Sequence, residues 1–121
     1  MKICVIDDNH DILELLENIL DSTGNEVLTA DNGKDGLSLI LREKFELIIL
    51  DITMPEFSGI DVVRYLSNNG ELRNRNILFL TAASISDLEL QEWFDKGVKG
   101  CLRKPVEFND LFEHVMEAKF T

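Results

Sequence analysis

The chain has 121 residues, 45% hydrophobic and 29% charged, a composition that is ordinary for a single folded domain over residues 1–121 and excludes a disordered segment. Acidic side chains outnumber basic ones by 23 to 12, and the resulting net charge of −11 argues against direct binding to nucleic acid or to an anionic membrane. There is no apolar run of the roughly 20 residues that span a bilayer, and acidic residues come too early for a secretory signal, so we expect a soluble cytoplasmic protein.

Short apolar runs, each bounded by polar or turn-forming residues, predict the strands of a sheet. In chain order they are residues 3–6, 27–30, 47–50, 77–80 and a weaker run around 100–102. Three of them are continuously apolar rather than alternating, which is typical of parallel strands that helices cover on both faces.

Between these runs, apolar residues recur at the spacing of amphipathic helices. The recurring sets are Ile12, Leu16 and Ile19; Leu37, Ile40 and Leu41; Ile60, Val63 and Leu66; Leu90, Trp93 and Phe94; and Phe108, Leu111, Phe112 and Val115. A capping box over residues 86–89 is expected to open the fourth helix, and Gly97 to end it. Five strand–helix units in succession predict an α/β fold with a doubly wound parallel sheet, whose ligands bind at the carboxyl ends of the strands.

Three other features have ordinary structural interpretations. Cys4 and Cys101 each lie in an apolar stretch without metal-binding spacing, so we expect buried, reduced thiols. His10 is expected to be an exposed residue of the first helical turn rather than a ligand. Trp93 and Phe94 are expected to face the core.

The residues that follow the predicted strands carry most of the candidate chemistry. Asp7 and Asp8 follow the first strand, Asp51 the third, Thr81 the fourth and Lys104 the fifth. If the first and third strands are neighbours, three carboxylates converge, and each close pair repels by about 1 to 4 kcal/mol. A cation must offset this repulsion. The lysine supplies one positive charge, and all-oxygen ligation suits Mg²⁺ as a second source.

Each of these residues also has a simpler interpretation when taken alone. Asp8 or Asn9 could cap the first helix, Asp51 could begin an Asx-turn, Thr81 could cap, and Lys104 could be a solvated surface group. Capping alone does not readily produce an acid pair, a lone acid, a hydroxyl and a lysine at four strand ends. The combination therefore favours a functional site.

These residues lie within motifs that resemble a known family. The motifs are Ile6-Asp7-Asp8-Asn9, Leu50-Asp51-Ile52-Thr53-Met54-Pro55 with Gly59, Leu80-Thr81-Ala82-Ala83, and Lys104-Pro105. Together they span essentially the whole chain and resemble the receiver domain of two-component response regulators. The resemblance implies a flavodoxin-like (βα)₅ fold with strand order 2-1-3-4-5. It also implies a phosphoryl group accepted from a sensor histidine kinase or a histidine phosphotransfer protein, in a stand-alone receiver or in one with an effector domain after Thr121.

The resemblance also implies a role for each matching residue. Asp51 would be the phosphoacceptor, Lys104 would pair with the phosphoryl oxygens, and the Thr81 hydroxyl would move to meet them. The groups that would hold Mg²⁺ are Asp8 directly, Asp7 through bound water, Asp51, and the backbone carbonyl of Thr53. Such a domain is a signalling phosphoacceptor that assists its own phosphorylation and dephosphorylation rather than an enzyme acting on an external substrate.

At one position the sequence departs from the family. An aromatic residue commonly lies three positions before the lysine, and here that position is Cys101. We expect the phosphoryl chemistry to survive this change and the signal to use a different rearrangement of the fourth helix and fifth strand. Thr53 and Ala83 are small, so they would shield an acyl phosphate little, and the peptide bond between Lys104 and Pro105 is often cis in the family.

Three alternative functions are weighed against this one. An aspartyl phosphatase of the haloacid dehalogenase type also has an Asp followed two residues later by Thr, but its nucleophile follows the first strand. A flavin-binding module needs a phosphate cradle after that strand, where Asp7 and Asp8 would repel the phosphate. A phosphorylation-silent docking module is disfavoured by the complete acceptor set. The acidic surface of the receiver is expected to meet basic or apolar surfaces of its protein partners.

Overall fold

The structure is a computed structural model that describes residues 1–82 and 85–120; Ala83, Ser84 and Thr121 lie outside the described residues. Strands and helices alternate along the chain. The strands are β1 (Lys2–Ile6), β2 (Glu26–Ala30), β3 (Leu47–Asp51), β4 (Ile77–Thr81) and β5 (Gly100–Arg103). The helices are α1 (His10–Ser22), α2 (Gly33–Arg42), α3 (Gly59–Asn68), α4 (Asp87–Lys96) and α5 (Phe108–Phe120).

The strands form one parallel sheet in the order β2-β1-β3-β4-β5. In the register of the central strands, Ile3 pairs with Val27 on one side and with Leu47 on the other. This arrangement confirms the predicted flavodoxin-like fold. It also places β1 beside β3, which is the condition for Asp7 and Asp51 to meet.

Alternate residues of the strands feed two separate hydrophobic cores, one on each face of the sheet. Ile48, Leu50 and Phe79 lie in the core under α2, α3 and α4. Ile49 and Leu78 lie in the core under α1 and α5. All of these side chains are almost completely buried. Since helices cover both faces of the sheet, successive residues of a strand are all buried, which explains the continuous apolar runs.

All five strands are one residue longer than predicted, and in β3 and β4 the added residue is a candidate site residue. Asp51 and Thr81 are the last residues of β3 and β4, where they pair in register with Leu80 and Arg103. Their backbones are therefore held by the sheet, while their side chains stand at its carboxyl edge. The other strands differ from prediction by no more than one residue at either end.

Three details of the predicted helices need correction. In α2, Leu41 is 44% exposed, and Leu39 packs on the core in its place. In α5, Phe108 is 52% exposed, whereas Leu111 and Val115 are buried. Ser86 caps α4 by accepting from the Glu89 N–H, but the reciprocal capping box occurs instead at α3.

The remaining predictions for the helices hold. Trp93 is buried and Phe94 packs partly buried against the same core, and Gly97 ends α4 with a φ of +131°.

Cys4 is buried, whereas Cys101 is half-buried, and both are free thiols. Burial raises the pKa of the Cys4 thiol to about 12 and also raises that of Cys101. Among the described helices, none is long and apolar enough to cross a bilayer.

Candidate functional site

Four strands deliver polar side chains to one edge of the sheet. Asp7 immediately follows β1, Asp51 ends β3, Thr81 ends β4 and Lys104 follows β5. Asp7, Asp51 and Thr81 are all at most 2% exposed. Since parallel strands end at a common edge, the topology assembles these groups from distant parts of the chain.

The carboxylates of Asp7, Asp8 and Asp51 form a compact cluster. One oxygen from each of the three lies within 4.8 Å of the others. Asp7 and Asp51 are buried, whereas Asp8 is exposed at the mouth of the cluster. Backbone groups fix the two buried side chains: Asp7 Oδ1 accepts from the Asn9 N–H at 2.9 Å, and Asp51 Oδ1 accepts from the Thr53 N–H at 3.2 Å.

Lys104 provides the cluster with its cation. Its Nζ lies 2.8 Å from Asp7 Oδ2 and 3.6 Å from Asp51 Oδ2, and its side chain is 16% exposed. The contact with Asp7 is a close ion pair, and the contact with Asp51 is longer by 0.8 Å, the difference between 3.6 and 2.8 Å. One ammonium thus faces two buried carboxylates, and the buried charge stays negative.

This imbalance appears in the acid–base properties of the site. Burial and the neighbouring charge of Asp7 raise the pKa of the Asp51 carboxyl to about 7, and Lys104 offsets only part of that rise. For the Lys104 ammonium, burial lowers the pKa, but its contacts with Asp7 and Asp51 outweigh burial and leave the pKa above its ordinary value. Lys104 therefore stays charged near neutral pH.

The loop after Asp51 is packed against the sheet edge. Gly59 donates its N–H to the Ile52 carbonyl at 2.9 Å, and a Cβ at Gly59 would lie 2.2 Å from the Asp51 carbonyl oxygen. Only glycine fits this approach. This contact closes the loop after Asp51 against the end of β3.

The same loop holds a strained residue that the sequence analysis did not identify. Glu56 has a φ of +69°, a left-handed conformation that residues with a Cβ seldom adopt. The turn around it is closed by the Phe57 N–H donating to the Pro55 carbonyl at 2.8 Å. The sequence carries no Gly or Asn signal at this position that could have indicated it.

Other residues named from the sequence lie near the cluster or apart from it. Thr53 lies beside Asp51, as its hydrogen bond shows, and the Lys104–Pro105 peptide bond is cis. Ala83, expected to govern access of water, lies outside the described residues. His10 is exposed as predicted, with its Nε2 3.2 Å from Asp31 Oδ2 rather than among the clustered carboxylates.

The cluster fits a hard divalent cation. Its ligand atoms are carboxylate oxygens, the class that Mg²⁺ prefers, and one from each of three side chains lies within 4.8 Å of the others. Three carboxylates against one ammonium leave two negative charges, which a divalent cation would neutralise. Asp7, Asp8 and Asp51 are therefore the side chains that could hold the ion.

Comparison with known proteins agrees with this geometry. The family described as "Response regulator receiver domain" matches residues 3–116. YrkP of Bacillus subtilis, described as an uncharacterized transcriptional regulatory protein, is 38% identical over 115 residues. That match covers 95% of the chain but only 48% of the relative, so the chain spans about half the length of YrkP. The polar-differentiation response regulator DivK of Brucella anthropi is 26% identical, and the match covers 94% of this chain and 92% of DivK.

One similar solved structure contains Mg²⁺. The response regulator TrrA of Thermotoga maritima, in complex with Mg²⁺-BeF, is 32% identical and superposes with a TM-score of 0.82. The match covers 97% of each chain. That relative thus binds the cation for which the carboxylate cluster of the present chain is chemically suited.

Proposed function

The chain belongs to the response regulator receiver domain family, and we propose that residues 1–121 form a receiver that accepts a phosphoryl group on Asp51 with Mg²⁺. The observation that carries this proposal is the position of Asp51. It is the buried carboxylate that lies against both Asp7 and the Lys104 ammonium at the carboxyl edge of the sheet. A phosphohistidine of a sensor kinase or phosphotransfer protein is the proposed donor.

Asp51 is the proposed nucleophile. A carboxylate oxygen of Asp51 forms a bond to phosphorus as the P–N bond of the donor breaks, and the leaving imidazole takes up a proton. The Thr53 N–H that binds Asp51 Oδ1 fixes the side chain, so that Oδ2, on the Lys104 side, is free to react. Most of the catalytic effect in such a transfer comes from position and charge neutralisation.

Lys104 and Thr81 are proposed to meet the transferred group. The ammonium already lies within 3.6 Å of Asp51 Oδ2, close enough to pair with a phosphoryl oxygen on that atom. The Thr81 side chain is buried at the end of the next strand and carries the nearby hydroxyl donor. Together they would stabilise negative charge that grows on the equatorial oxygens.

Asp7, Asp8 and Asp51 are proposed to hold Mg²⁺, with the Thr53 carbonyl as a further ligand. When bound, the ion neutralises the excess charge of the cluster and polarises the phosphoryl oxygens. Asp7 Oδ2 is buried, so a water molecule or a metal ion can reach this oxygen only from within the site. Asp8, exposed at the mouth, would be reached directly from solvent.

Signalling would follow from the new charge at Asp51. An aspartyl phosphate carries about two negative charges where the carboxylate carried one. The half-buried Cys101 has no ring to swing between buried and exposed positions, so we propose that α4 and β5 rearrange in another way. The altered face would change the affinity for a downstream protein.

The test is phosphorylation with a small-molecule donor. The protein is incubated with acetyl phosphate and Mg²⁺, and its intact mass is measured. We expect a gain of one phosphoryl group in the parent protein and in the control Asp95→Asn, an exposed position on α4, but not in Asp51→Asn. Chelation of Mg²⁺ should abolish the gain.

Two results would contradict the proposal. One is an equal mass gain in Asp51→Asn, which would place the phosphoryl group elsewhere. The other is a parent protein that remains unmodified although Mg²⁺ shifts its melting temperature. That second result would instead favour a docking module that binds metal but is silent to phosphorylation.

A further inference from the structure

Helix α5 carries a row of large apolar side chains on its accessible surface. Phe108, Phe112, Met116 and Phe120 recur every four residues and therefore lie along one side of the helix. Phe108, Met116 and Phe120 are 52%, 47% and 74% exposed, and Phe112 is half-buried. We call these four residues the α5 stripe. They are separate from Leu111 and Val115, which bury the helix against the sheet.

The first three members of the stripe adjoin one another. The rings of Phe108 and Phe112 pack edge to face with centroids 4.4 Å apart, and Phe112 and Met116 line the same shallow surface groove. Phe120 follows one helical turn later, and the Lys119 ammonium lies 5.9 Å from the centre of its ring. Isolated exposed apolar residues are common, but a contiguous row marks an interaction surface. Four residues at this spacing present the ridge that a second helix packs against.

The charge around the stripe selects a partner. Asp110, Glu113 and Glu117 are exposed along the same helix, whose single Lys or Arg is Lys119. The neighbouring helix α1 contributes four more acidic residues and contains neither Lys nor Arg. These two helices cover the same face of the sheet, because both pack on the core that contains Ile3 and Val5.

From this combination we infer that the α5 stripe docks an amphipathic helix of a partner protein whose apolar side is flanked by lysine or arginine. An apolar helix side would cover the aromatic rings, and its basic flanks would face the acidic rows of α5 and α1. A second copy of this chain is a poor occupant. It would bring the same acidic rows against themselves, on a chain whose net charge is −11.

The inference does not depend on phosphorylation. Asp51 lies at the carboxyl edge, whereas the stripe runs along the outside of α5 to Phe120, at the opposite end of that helix from Lys104. Binding is therefore expected in protein that has never met a phosphodonor. Its failure would leave the proposed phosphoacceptor function untouched, and the reverse also holds.

The test uses the full chain and a synthetic peptide of about 15 residues, long enough to form a helix, with leucine on one side and lysine on the other. Affinity is measured by fluorescence anisotropy at low salt. We expect the double variant Met116→Ser/Phe120→Ser to weaken binding at least about fivefold. The matched control Leu41→Ser/Leu88→Ser, at two exposed leucines of α2 and α4, should change it less than about twofold.

A second pair of variants tests the charge. Glu113→Gln/Glu117→Gln should weaken binding of the lysine peptide about threefold, and more than Glu89→Gln/Glu92→Gln on α4, which removes the same charge from the other face. A peptide with glutamate in place of lysine should bind far more weakly.

Three results would overturn the inference: equal binding by the stripe and control variants, equal binding of the two peptides, or a dimer in sedimentation that Met116→Ser/Phe120→Ser dissociates.

Discussion

At the carboxyl edge of the sheet, the buried carboxylates of Asp7 and Asp51 share the single ammonium of Lys104. The amino edge is organised differently, because the arginines there donate hydrogen bonds to carbonyl and carboxylate oxygens. Arg75 donates to the Ile40 carbonyl and to Glu71, each at 2.9 Å, and Arg73 donates to the Asp95 carbonyl at 2.6 Å. The first edge buries excess charge, whereas the second uses charge to satisfy the carbonyls at the ends of helices.

The difference indicates which edge serves stability and which serves chemistry. Helix carboxyl ends carry partial negative charge, so arginines placed against them stabilise the fold. Buried carboxylates without enough cations destabilise it. Removing a charged side chain should therefore lower the free energy of unfolding at the amino edge and raise it at the carboxyl edge. Adding an atom should lower it most where the packing is tightest.

The largest effect is expected at the tightly packed carboxyl edge, in Gly59→Ala. The added Cβ would lie 2.2 Å from the Asp51 carbonyl oxygen, and backbone must move to admit it. We expect the free energy of unfolding to fall by about 3 kcal/mol in urea titrations. The control is Gly24→Ala at the amino edge, where φ is +87° but a Cβ meets nothing within 4 Å, and the cost should be about 1 kcal/mol. Equal losses at both positions would show that close packing does not distinguish the edges.

The next effect concerns the amino edge, in Arg75→Met. This change keeps much of the apolar stem but leaves the Ile40 carbonyl without its side-chain donor and Glu71 without its cation. Chemical denaturation should show a loss of about 2 kcal/mol. Arg64→Met removes an exposed ion pair with Asp61 and should cost no more than about 0.5 kcal/mol. A loss in Arg75→Met as small as that control would contradict a stabilising role for this arginine.

The opposite sign is expected for Asp51→Asn in the absence of divalent cations. Because the folded-state pKa of Asp51 is raised to about 7, the folded protein holds a proton that the unfolded chain releases above its ordinary value of 3.8. Stability is therefore lost as pH rises between these two values, and the full penalty is present above pH 7. At pH 8 the variant should be more stable than the parent by about 1 to 2 kcal/mol.

Two comparisons check this pH prediction. The stability difference between Asp51→Asn and the parent should shrink as pH is lowered toward 4, and it should also shrink when Mg²⁺ is added to the parent. A parent protein that is more stable than the variant at pH 8 in chelator would mean that Lys104 already balances the two carboxylates.

The smallest effect is expected at Glu56, whose strain belongs to the loop of the carboxyl edge. Glycine adopts a φ of +69° without steric cost, so Glu56→Gly should raise the free energy of unfolding by about 0.5 kcal/mol despite the greater freedom of glycine in the unfolded chain. Glu43→Gly, at the end of α2 with a φ of −130°, should lower it, because glycine gains freedom in the unfolded chain and the ion pair with Lys2 is lost. If both changes destabilise, the left-handed turn is not strained.

The sheet was largely predictable from the sequence, because its three central strands are buried on both faces and each contains a short apolar run followed by Asp or Thr. The residues of the candidate site could be named for the same reason, since the parallel topology brings strand ends together. What could not be predicted was their balance of charge. That Lys104 lies nearer Asp7 than Asp51 depends on side-chain positions that no spacing in the sequence encodes.

The misassigned details have a common cause. The exposure of Leu41 and Phe108 depends on where each helix lies on the sheet. Helical spacing predicts only which residues lie on the same side of a helix. The left-handed Glu56 follows from the path that the loop must take between Asp51 and Gly59, and glutamate gives no local signal for it. The roles of Asp7, Asp8, Thr53, Thr81 and Lys104 remain predictions.

The strand order also sets the sequence in which a growing chain can build the site. All residues of β1 and β3 are present in the chain up to residue 51, whereas Lys104 follows β5 and is added much later. Until then a partial sheet would hold Asp7 and Asp51 together without their ammonium. Such a sheet is penalised by the repulsion that the complete chain relieves, and the contacts between Lys104 and the first strand span most of the polypeptide. β5, the last strand of this sheet, thus brings the ammonium that offsets part of a repulsion set up by the first and third strands.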